Sequence, residues 1–455
     1  VNVNTVLRLL VILPRLHQHE SWTRQQLEAY QTQKLAELRQ YAYRHSPFYQ
    51  QFHHGLYDRP LCDLPVLTKN VMMEHFDEVM TNRAIHLEDI RMQRELDPQA
   101  LYLGRYRVNT TSGSTGSPGL FLFSEREWAM VLASFVRGYE WAGVHVNLAQ
   151  RRRVAIVASV NERHMSAQVS RTLQSLWAAT RKLSASEPVP AIVRELNDWQ
   201  PDILVAYASM ARILALEQLE QRLQIAPETV FTSSEVLTDE ARRLIEMAWG
   251  KAPFDQYAAT ETAGIAAECE HHSGLHLYED LVIVENVDEQ YRPVPAGIYG
   301  DRLLVTVLFN RTQPLIRYEI NDSLKFTDRR CGCGRPFALV EAVQGREQDS
   351  LQIPGAQGDV VTVHPNVFHD VMDMVSVSAW QIVQREDGLH ILLVDPRATV
   401  NDDALTDALR HALQRQGVQI PMLFIQRVAT IPRTAGGKAP LIKAELSHPI
   451  GDHIR

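Results

Sequence analysis

Between residues 120 and 230, short apolar runs alternate with segments of helical periodicity. Val154-Ala155-Ile156-Val157 and Ile203-Leu204-Val205-Ala206 read as buried strands, and Ala211 to Leu223 carries its apolar residues at helical spacing. Strands separated by helices cannot pair through tight turns, so they assemble as a largely parallel sheet with helices layered on its faces, an α/β architecture. Open sheets of this kind gather ligands at their strand ends. Polar clusters fall at two expected ends: Phe231-Thr232-Ser233-Ser234-Glu235, before a helix from Thr238 to Trp249, and Asp255-Gln256-Tyr257-Ala258-Ala259-Thr260-Glu261-Thr262. Each residue type there is also an ordinary helix cap, so neither cluster alone identifies a site.

A third cluster is more specific. Residues 109 to 119, Asn-Thr-Thr-Ser-Gly-Ser-Thr-Gly-Ser-Pro-Gly, combine three glycines with a run of hydroxyl donors. Gly113, Gly116 and Gly119 let the backbone bring successive N–H groups close to an anion, and Thr110, Thr111, Ser112, Ser114, Thr115 and Ser117 add side-chain donors, as a phosphate-holding loop requires. A flexible linker has a similar composition, but this run leads at once into Leu120-Phe121-Leu122-Phe123 and then the amphipathic segment Glu125 to Tyr139. The P-loop pattern is excluded, since no Lys follows Gly116 or Gly119, and Gly437-Lys438 is followed by Ala439. The dinucleotide fingerprint is excluded as well, because Gly332-Cys333-Gly334 has Phe337 where the third glycine belongs.

With 455 residues the chain is too long for one compact core. Its formal net charge of −8 disfavours nucleic acid and anionic membranes as partners, yet allows a locally basic pocket for an anionic cofactor. Four cysteines are too few for a disulfide framework. The apolar stretch Val6 to Leu13 carries Arg8, ends at Pro14 and is too short to cross a bilayer, so a soluble cytoplasmic protein is expected. Residues 17 to 53 read as a surface helix pair, and Thr68 as the cap of a helix after Leu64-Pro65.

Beyond Gly345-Arg346-Glu347-Gln348-Asp349 the pattern changes. Strand Gln381 to Arg385, a turn at Asp387-Gly388, strand Leu389 to Val394, a helix capped by Asn401 and strand Leu423 to Val428 form a small α+β unit. The expected organisation is a large domain over 1–344, a hinge at 345–349 and a small domain over 350–455. Cys269 and His276 with Cys331 and Cys333 compose a Cys3His set suited to tetrahedral Zn²⁺, or else buried inert thiols; Cys62 stands apart and reads as core.

Taken in order, these motifs resemble those of the adenylate-forming enzymes. Thr111 to Gly119 matches the phosphate loop, Tyr257-Ala258-Ala259-Thr260-Glu261 the Tyr-Gly-x-Thr-Glu motif, and Pro432-Arg433-Thr434-Ala435-Gly436-Gly437-Lys438 the C-terminal lysine loop, with Asp322 in the ribose position. The segments Tyr41-Ala42 to Tyr49, Leu64 to Lys69, Arg317-Tyr318 and Cys331-Gly332-Cys333-Gly334-Arg335-Pro336 are similar to the phenylacetate-CoA ligase and coenzyme F390 synthetase branch. The resemblance implies a large adenylation domain and a small C-terminal lid domain. It implies ATP-dependent activation of a carboxylic acid, aryl or arylalkyl by branch, to an acyl-adenylate with pyrophosphate release, followed by transfer to coenzyme A. The alternative is delivery to an amine, a carrier protein or another nucleophile. Two departures bear on that choice: Ala258 replaces the usual glycine, and the hinge pivot, an Asp in the family, falls at Gln348.

The same resemblance implies the roles. Lys438 bridges the acid's carboxylate and the α-phosphate, Thr260 bonds that phosphate and Glu261 holds Mg²⁺. Thr111, Ser112, Gly113, Ser114, Thr115 and Gly116 cradle the phosphates; Ser233, Ser234 and Glu235 line the adenine beside Tyr257; Asp322 and Arg346 serve the ribose. Cys269, His276, Cys331 and Cys333 correspond to a structural zinc site. For the acyl pocket, Tyr207 and Ala208 lie at a strand end. The aromatic stripe Trp128, Phe135, Tyr139, Trp141 reads first as core, with Phe135 and Tyr139 as pocket candidates. Expected partners are a small carboxylic acid, an acceptor such as coenzyme A, and a second copy of the chain in a homodimer.

Overall fold

The computed structural model describes residues 3–97, 99–111, 119–145, 151–158, 165–173, 178–185, 187, 189–320, 322–344, 351–356, 358, 360–363, 365–372, 375, 377, 379–394, 400–432 and 440–446. The expected apolar stretch near the start is part of a helix, Val3–Glu20, that runs on through Pro14. Among the described residues no helix is long and apolar enough to cross a membrane. Helix Arg24–His45 follows, closed at its start by a capping box between Thr23 and Gln26, and helix Pro47–Phe52 after it. Neither long helix is only a surface element, since Leu9, Leu16, Leu27, Leu38 and Ala42 are all buried. Thr68 caps helix Lys69–Glu74 as expected, accepting from the Val71 N–H at 3.3 Å.

Strands β1 (Tyr106–Thr110) and β2 (Leu120–Ser124) pair antiparallel, so the glycine-rich run is the connection of a hairpin. Ser124 and Glu127 then form a capping box that starts helix Glu125–Trp141. Twelve further strands lie between Arg152 and Gln344: β3 (Arg152–Ala158), β4 (Ala178–Ser184), β5 (Ile203–Tyr207), β6 (Thr229–Ser233), β7 (Phe254–Ala259), β8 (Ala263–Glu268), β9 (Leu275–Leu277), β10 (Val282–Val287), β11 (Arg302–Val307), β12 (Tyr318–Ile320), β13 (Ser323–Thr327) and β14 (Leu339–Gln344). Among the described residues, nine of them make one sheet in the order β13-β14-β9-β8-β7-β6-β5-β3-β4. The wing from β4 to β7 is parallel, as the alternation of strand and helix demands. The wing from β7 to β13 is antiparallel: β7, β8 and β9 follow one another through short connections, as do β13 and β14, and β14 returns to pair with β9. Strands β10, β11 and β12 form a separate antiparallel sheet.

After Leu351 come β15 (Leu351–Pro354), β16 (Val360–Val363), β17 (Ala379–Arg385), β18 (Gly388–Val394), β19 (Leu423–Arg427) and β20 (Ile442–Ala444). The last four order as β19-β18-β17-β20. Gly388 has φ 144°, and a Cβ there would sit 2.3 Å from the Met422 carbonyl oxygen, so the hairpin turn admits no other residue. Asn401 caps helix Asp402–Arg415, whose Leu405, Leu409 and Leu413 close over Trp380, Ile382 and Ile391 in a cluster that includes no residue before Leu351. Gly345 to Asp349, with the expected hinge, Arg346 and Gln348, lies outside the described residues.

Candidate active site

Ser233 ends β6 opposite Tyr207 of β5 and Gln256 of β7, so three parallel strands deliver the expected polar cluster to one edge of the sheet. There the chain turns sharply, with Ser234 at φ 68°. Glu235 is drawn back across the edge, its carboxylate accepting from the Ser209 N–H at 2.9 Å where helix Ala208–Leu219 begins. Thr260 and Glu261 occupy the tight turn between β7 and β8, closed by the Thr262 N–H to the Ala259 carbonyl at 3.2 Å. Beside that turn the Tyr257 hydroxyl donates to Asp322 Oδ2 at 2.6 Å. Two residues chosen from separate motifs, Tyr257 and the aspartate expected to meet a ribose, are thus in direct contact.

The mouth of the glycine-rich run is fixed from both sides. Thr111 N–H donates to the Gly119 carbonyl at 3.1 Å and Gly119 N–H to Thr111 Oγ1 at 2.9 Å. A Cβ at Gly119 would come within 2.9 Å of the Phe121 ring, so the close approach needs glycine. Phe121 meets Tyr318 edge to face at 5.9 Å. Burial, and then the Glu261 and Glu319 carboxylates, push the Tyr318 phenol well above its usual range. Ser112, Gly113, Ser114, Thr115, Gly116 and Lys438 lie outside the described residues.

Tyr318 and Phe121 were given no role by motif reading, although Arg317-Tyr318 was part of the resemblance. The structure shows what that pair supports. Leu67 and Tyr318 share a parallel bridge, with Leu67 N–H to the Arg317 carbonyl at 3.0 Å and Glu319 N–H to the Leu67 carbonyl at 3.0 Å. The Arg317 guanidinium bonds Glu285 at 3.1 Å and also the Leu64 carbonyl. The Leu64 to Lys69 stretch is therefore the strap that holds β12 under the site.

Of the acyl-pocket candidates, Tyr139 packs edge to face on Phe231 at 4.6 Å, two residues before Ser233, and burial raises its phenol to about 12. Tyr207 belongs to the cluster beneath β5 and Ala208 beside it is buried, whereas Phe135 packs against a different cluster with Trp128 and Trp141. The structure thus sets Tyr139 against the site edge and leaves Trp128 and Trp141 as core.

Asp255, on β7, was not singled out. Burial and the neighbouring Glu268 carboxylate raise its pKa to about 7, against the Thr232 hydroxyl that donates to it at 2.8 Å. A carboxyl whose folded pKa lies above its unfolded value contributes stability at low pH that is lost as pH rises through the folded value. Asp255→Asn is therefore expected to be more stable than the parent by about 1–2 kcal/mol at pH 8 and indistinguishable near pH 4, measured by urea unfolding at both pH values.

Cys269 follows β8, His276 lies in β9, and Cys331 and Cys333 precede β14; the antiparallel order β8-β9-β14 brings the four together. Their ligand atoms lie within 4.8 Å of one another, with Cys269 Sγ to Cys331 Sγ at 3.6 Å and Cys333 Sγ to His276 Nε2 at 3.4 Å. A tetrahedral ion with bonds of about 2.3 Å to sulfur separates its donors by about 3.8 Å, so the set fits zinc. His272 is engaged elsewhere, with Glu268 at 3.1 Å. Cys62 corrects the sequence reading: it is exposed, not core, because the short helical turn at Leu61–Asp63 turns it outward.

No protein-family model matches the chain. It is 24% identical over 462 residues to the phenylacetate-coenzyme A ligase of Thermus thermophilus, covering 92% of this chain and 96% of that protein. It is also 24% identical over 434 residues to protein CapK of Staphylococcus aureus, covering 90% and 87%. Among solved structures, a 2-hydroxyisobutyryl-CoA ligase in the postadenylation state aligns with a TM-score of 0.72 at 20% identity, over 92% of this chain and 89% of that one. The chain is thus similar along nine-tenths of its length to a phenylacetate-coenzyme A ligase and has the fold of an acid-CoA ligase.

Proposed function

We propose that the protein is an AMP-forming acid-CoA ligase. The observation that carries this reading is the Tyr257–Asp322 hydrogen bond beside the Thr260–Glu261 turn, on the sheet edge that also holds Ser233 to Glu235. In the first step a carboxylate oxygen of the acid attacks the α-phosphorus of ATP and pyrophosphate leaves. Negative charge grows on the α-phosphate, and the chain answers with the Thr260 hydroxyl, the Lys438 ammonium and the donors of residues 111–116. Asp322, held by Tyr257 and aided by Arg346, takes the ribose hydroxyls, and the backbone around Ser233, Ser234 and Glu235 meets the adenine. Glu261 would hold Mg²⁺, which supplies positive charge toward the phosphates. In the second step the sulfur of coenzyme A attacks the acyl carbon, the thiol proton is given up, and AMP leaves.

Pyrophosphate release with ATP, Mg²⁺ and a panel of aryl, arylalkyl and small aliphatic acids tests the proposal. Selective release that rises with coenzyme A is the expected result. The panel spans both kinds of acid because the similar ligases are named for phenylacetate and for 2-hydroxyisobutyrate. Gln348 at the hinge pivot favours a second reading, transfer to an amine or a carrier protein; selective release that ignores coenzyme A would establish it. Release with no acid would refute both.

The Cys3His cluster we assign to a structural zinc ion. The protein is expected to carry about one zinc per chain by elemental analysis. Cys331→Ser is expected to lose it and to unfold at lower urea concentration, since binding free energy of a structural ion is folding free energy.

A further inference from the structure

Helix Ala208–Leu219 begins where β5 ends, so its first turns stand on the same sheet edge as Ser233 and Glu235. Arg212 lies on this helix and grips Glu240, in the first turn of helix Asp239–Trp249, with Nε to Oε2 at 2.7 Å and Nη2 to Oε1 at 3.0 Å. The same Nη2 also donates to the carbonyl oxygen of Val377 at 3.0 Å. Val377 lies just before β17, in the part of the chain that builds the C-terminal core. Among the described residues that core shares none with the clusters around the large sheet, so there the two parts are not joined by one apolar interior. A fork already oriented by Glu240 is a rigid donor, and its bond to Val377 seats the C-terminal sheet over the nucleotide edge.

The chemistry gives that seat a meaning. Two reagents must act on the same acyl carboxyl in succession: first Lys438 from the C-terminal part of the chain, then a thiol. A C-terminal part docked at this edge serves the first and must yield for the second. We propose that Arg212 is a positioning residue for adenylation, which ties the C-terminal part over the ATP edge through Val377 and must release it before thioester formation. The proposal rests on the ligase reading above.

The test uses the full chain with spin labels on the exposed Cys62 and on Gln414→Cys, and distances measured by pulsed dipolar spectroscopy. The parent is expected to give one narrow distance. Arg212→Met adds a second population; Glu240→Gln, which disturbs the same helix pairing but leaves the bond to Val377, does not. In parallel, phenylacetate-dependent ATP–pyrophosphate exchange should fall about tenfold in Arg212→Met, the worth of one charge-assisted hydrogen bond, while transfer from synthetic phenylacetyl-adenylate to coenzyme A holds or rises. An unchanged distance distribution in Arg212→Met, or the same change in Glu240→Gln, would overturn the proposal, as would equal loss in both half-reactions. A parent that shows no exchange with any acid, yet whose distances respond to Arg212→Met alone, would remove the ligase reading and support the tie.

Discussion

Lys438→Ala is expected to slow acid-dependent pyrophosphate release about 10²–10³-fold while leaving urea unfolding unchanged. The reaction sets a carboxylate against a polyphosphate, two anions that repel until a cation lies between them. Lys438 is the cation that the C-terminal sequence offers. The structure adds what holds that loop. Gln381, fully buried at the start of the β17 hairpin, donates from Nε2 to the Pro440 carbonyl at 2.7 Å and to the Pro432 carbonyl at 3.5 Å, so one amide spans both ends of the lysine run. Pro432 and Pro440, on either side of that run, are therefore held to the same side chain. A loss of rate with unchanged stability distinguishes a cation acting on the reacting groups from a surface lysine, whose removal would alter neither.

Arg137→Met is expected to destabilise the fold by about 3–5 kcal/mol at pH 7, measured by urea unfolding, because it strands a buried carboxylate. Arg137 and Asp280 have no exposed side-chain surface and meet as a fork, at 2.8 Å to Oδ1 and 2.6 Å to Oδ2. His19 completes the group from the N-terminal helix, with Nδ1 at 2.7 Å from Asp280 Oδ2. Trp141, Tyr278 and Phe337 surround the guanidinium at 5.7, 5.1 and 5.5 Å. Burial alone would raise the Asp280 pKa, but the Arg137 charge and hydrogen bonds, with His19, hold it well below the usual carboxylate range. A carboxyl with a depressed folded pKa contributes stability above its unfolded pKa of about 3.9 and loses it as pH falls. In Arg137→Met the carboxyl loses that support and its pKa rises. The penalty should therefore be largest at neutral pH and shrink toward pH 4, where Asp280 can be protonated in both states. Arg137→Met combined with Asp280→Leu should recover most of the loss, since a well-packed apolar pair carries no desolvation cost.

Neither partner of that pair could be chosen from the sequence, because Arg137 and Asp280 are 143 residues apart and neither lies in a motif. Arg137 falls within a helix whose Trp128 and Trp141 are core as the sequence suggests, yet nothing in that aromatic stripe shows that a cation is buried along with it. The Cys3His set was legible as a composition, while the alternative of inert thiols was narrowed only by the antiparallel register that brings the four donors together. Cys62 was misread because a lone cysteine carries a preference for burial and no information on which way its turn faces. The N-terminal helix passes Pro14, where sequence rules would end it, and its buried Leu9 and Leu16 lie on a helix packed against helix Glu125–Trp141.

The sequence by itself determined what depends on neighbours along the chain. The caps at Thr68 and Asn401, the parallel wing implied by alternating strands and helices, the glycine-rich connection and the order of the three motifs all follow from local sterics and hydrogen bonding. The tertiary structure decided what depends on register between distant strands: the Tyr257–Asp322 contact, the strap from Leu64 to Arg317, the clustering of the cysteines and the seat of Val377 on Arg212. Register is set by the burial of whole strand faces at once, and no single window of sequence contains both sides of that balance.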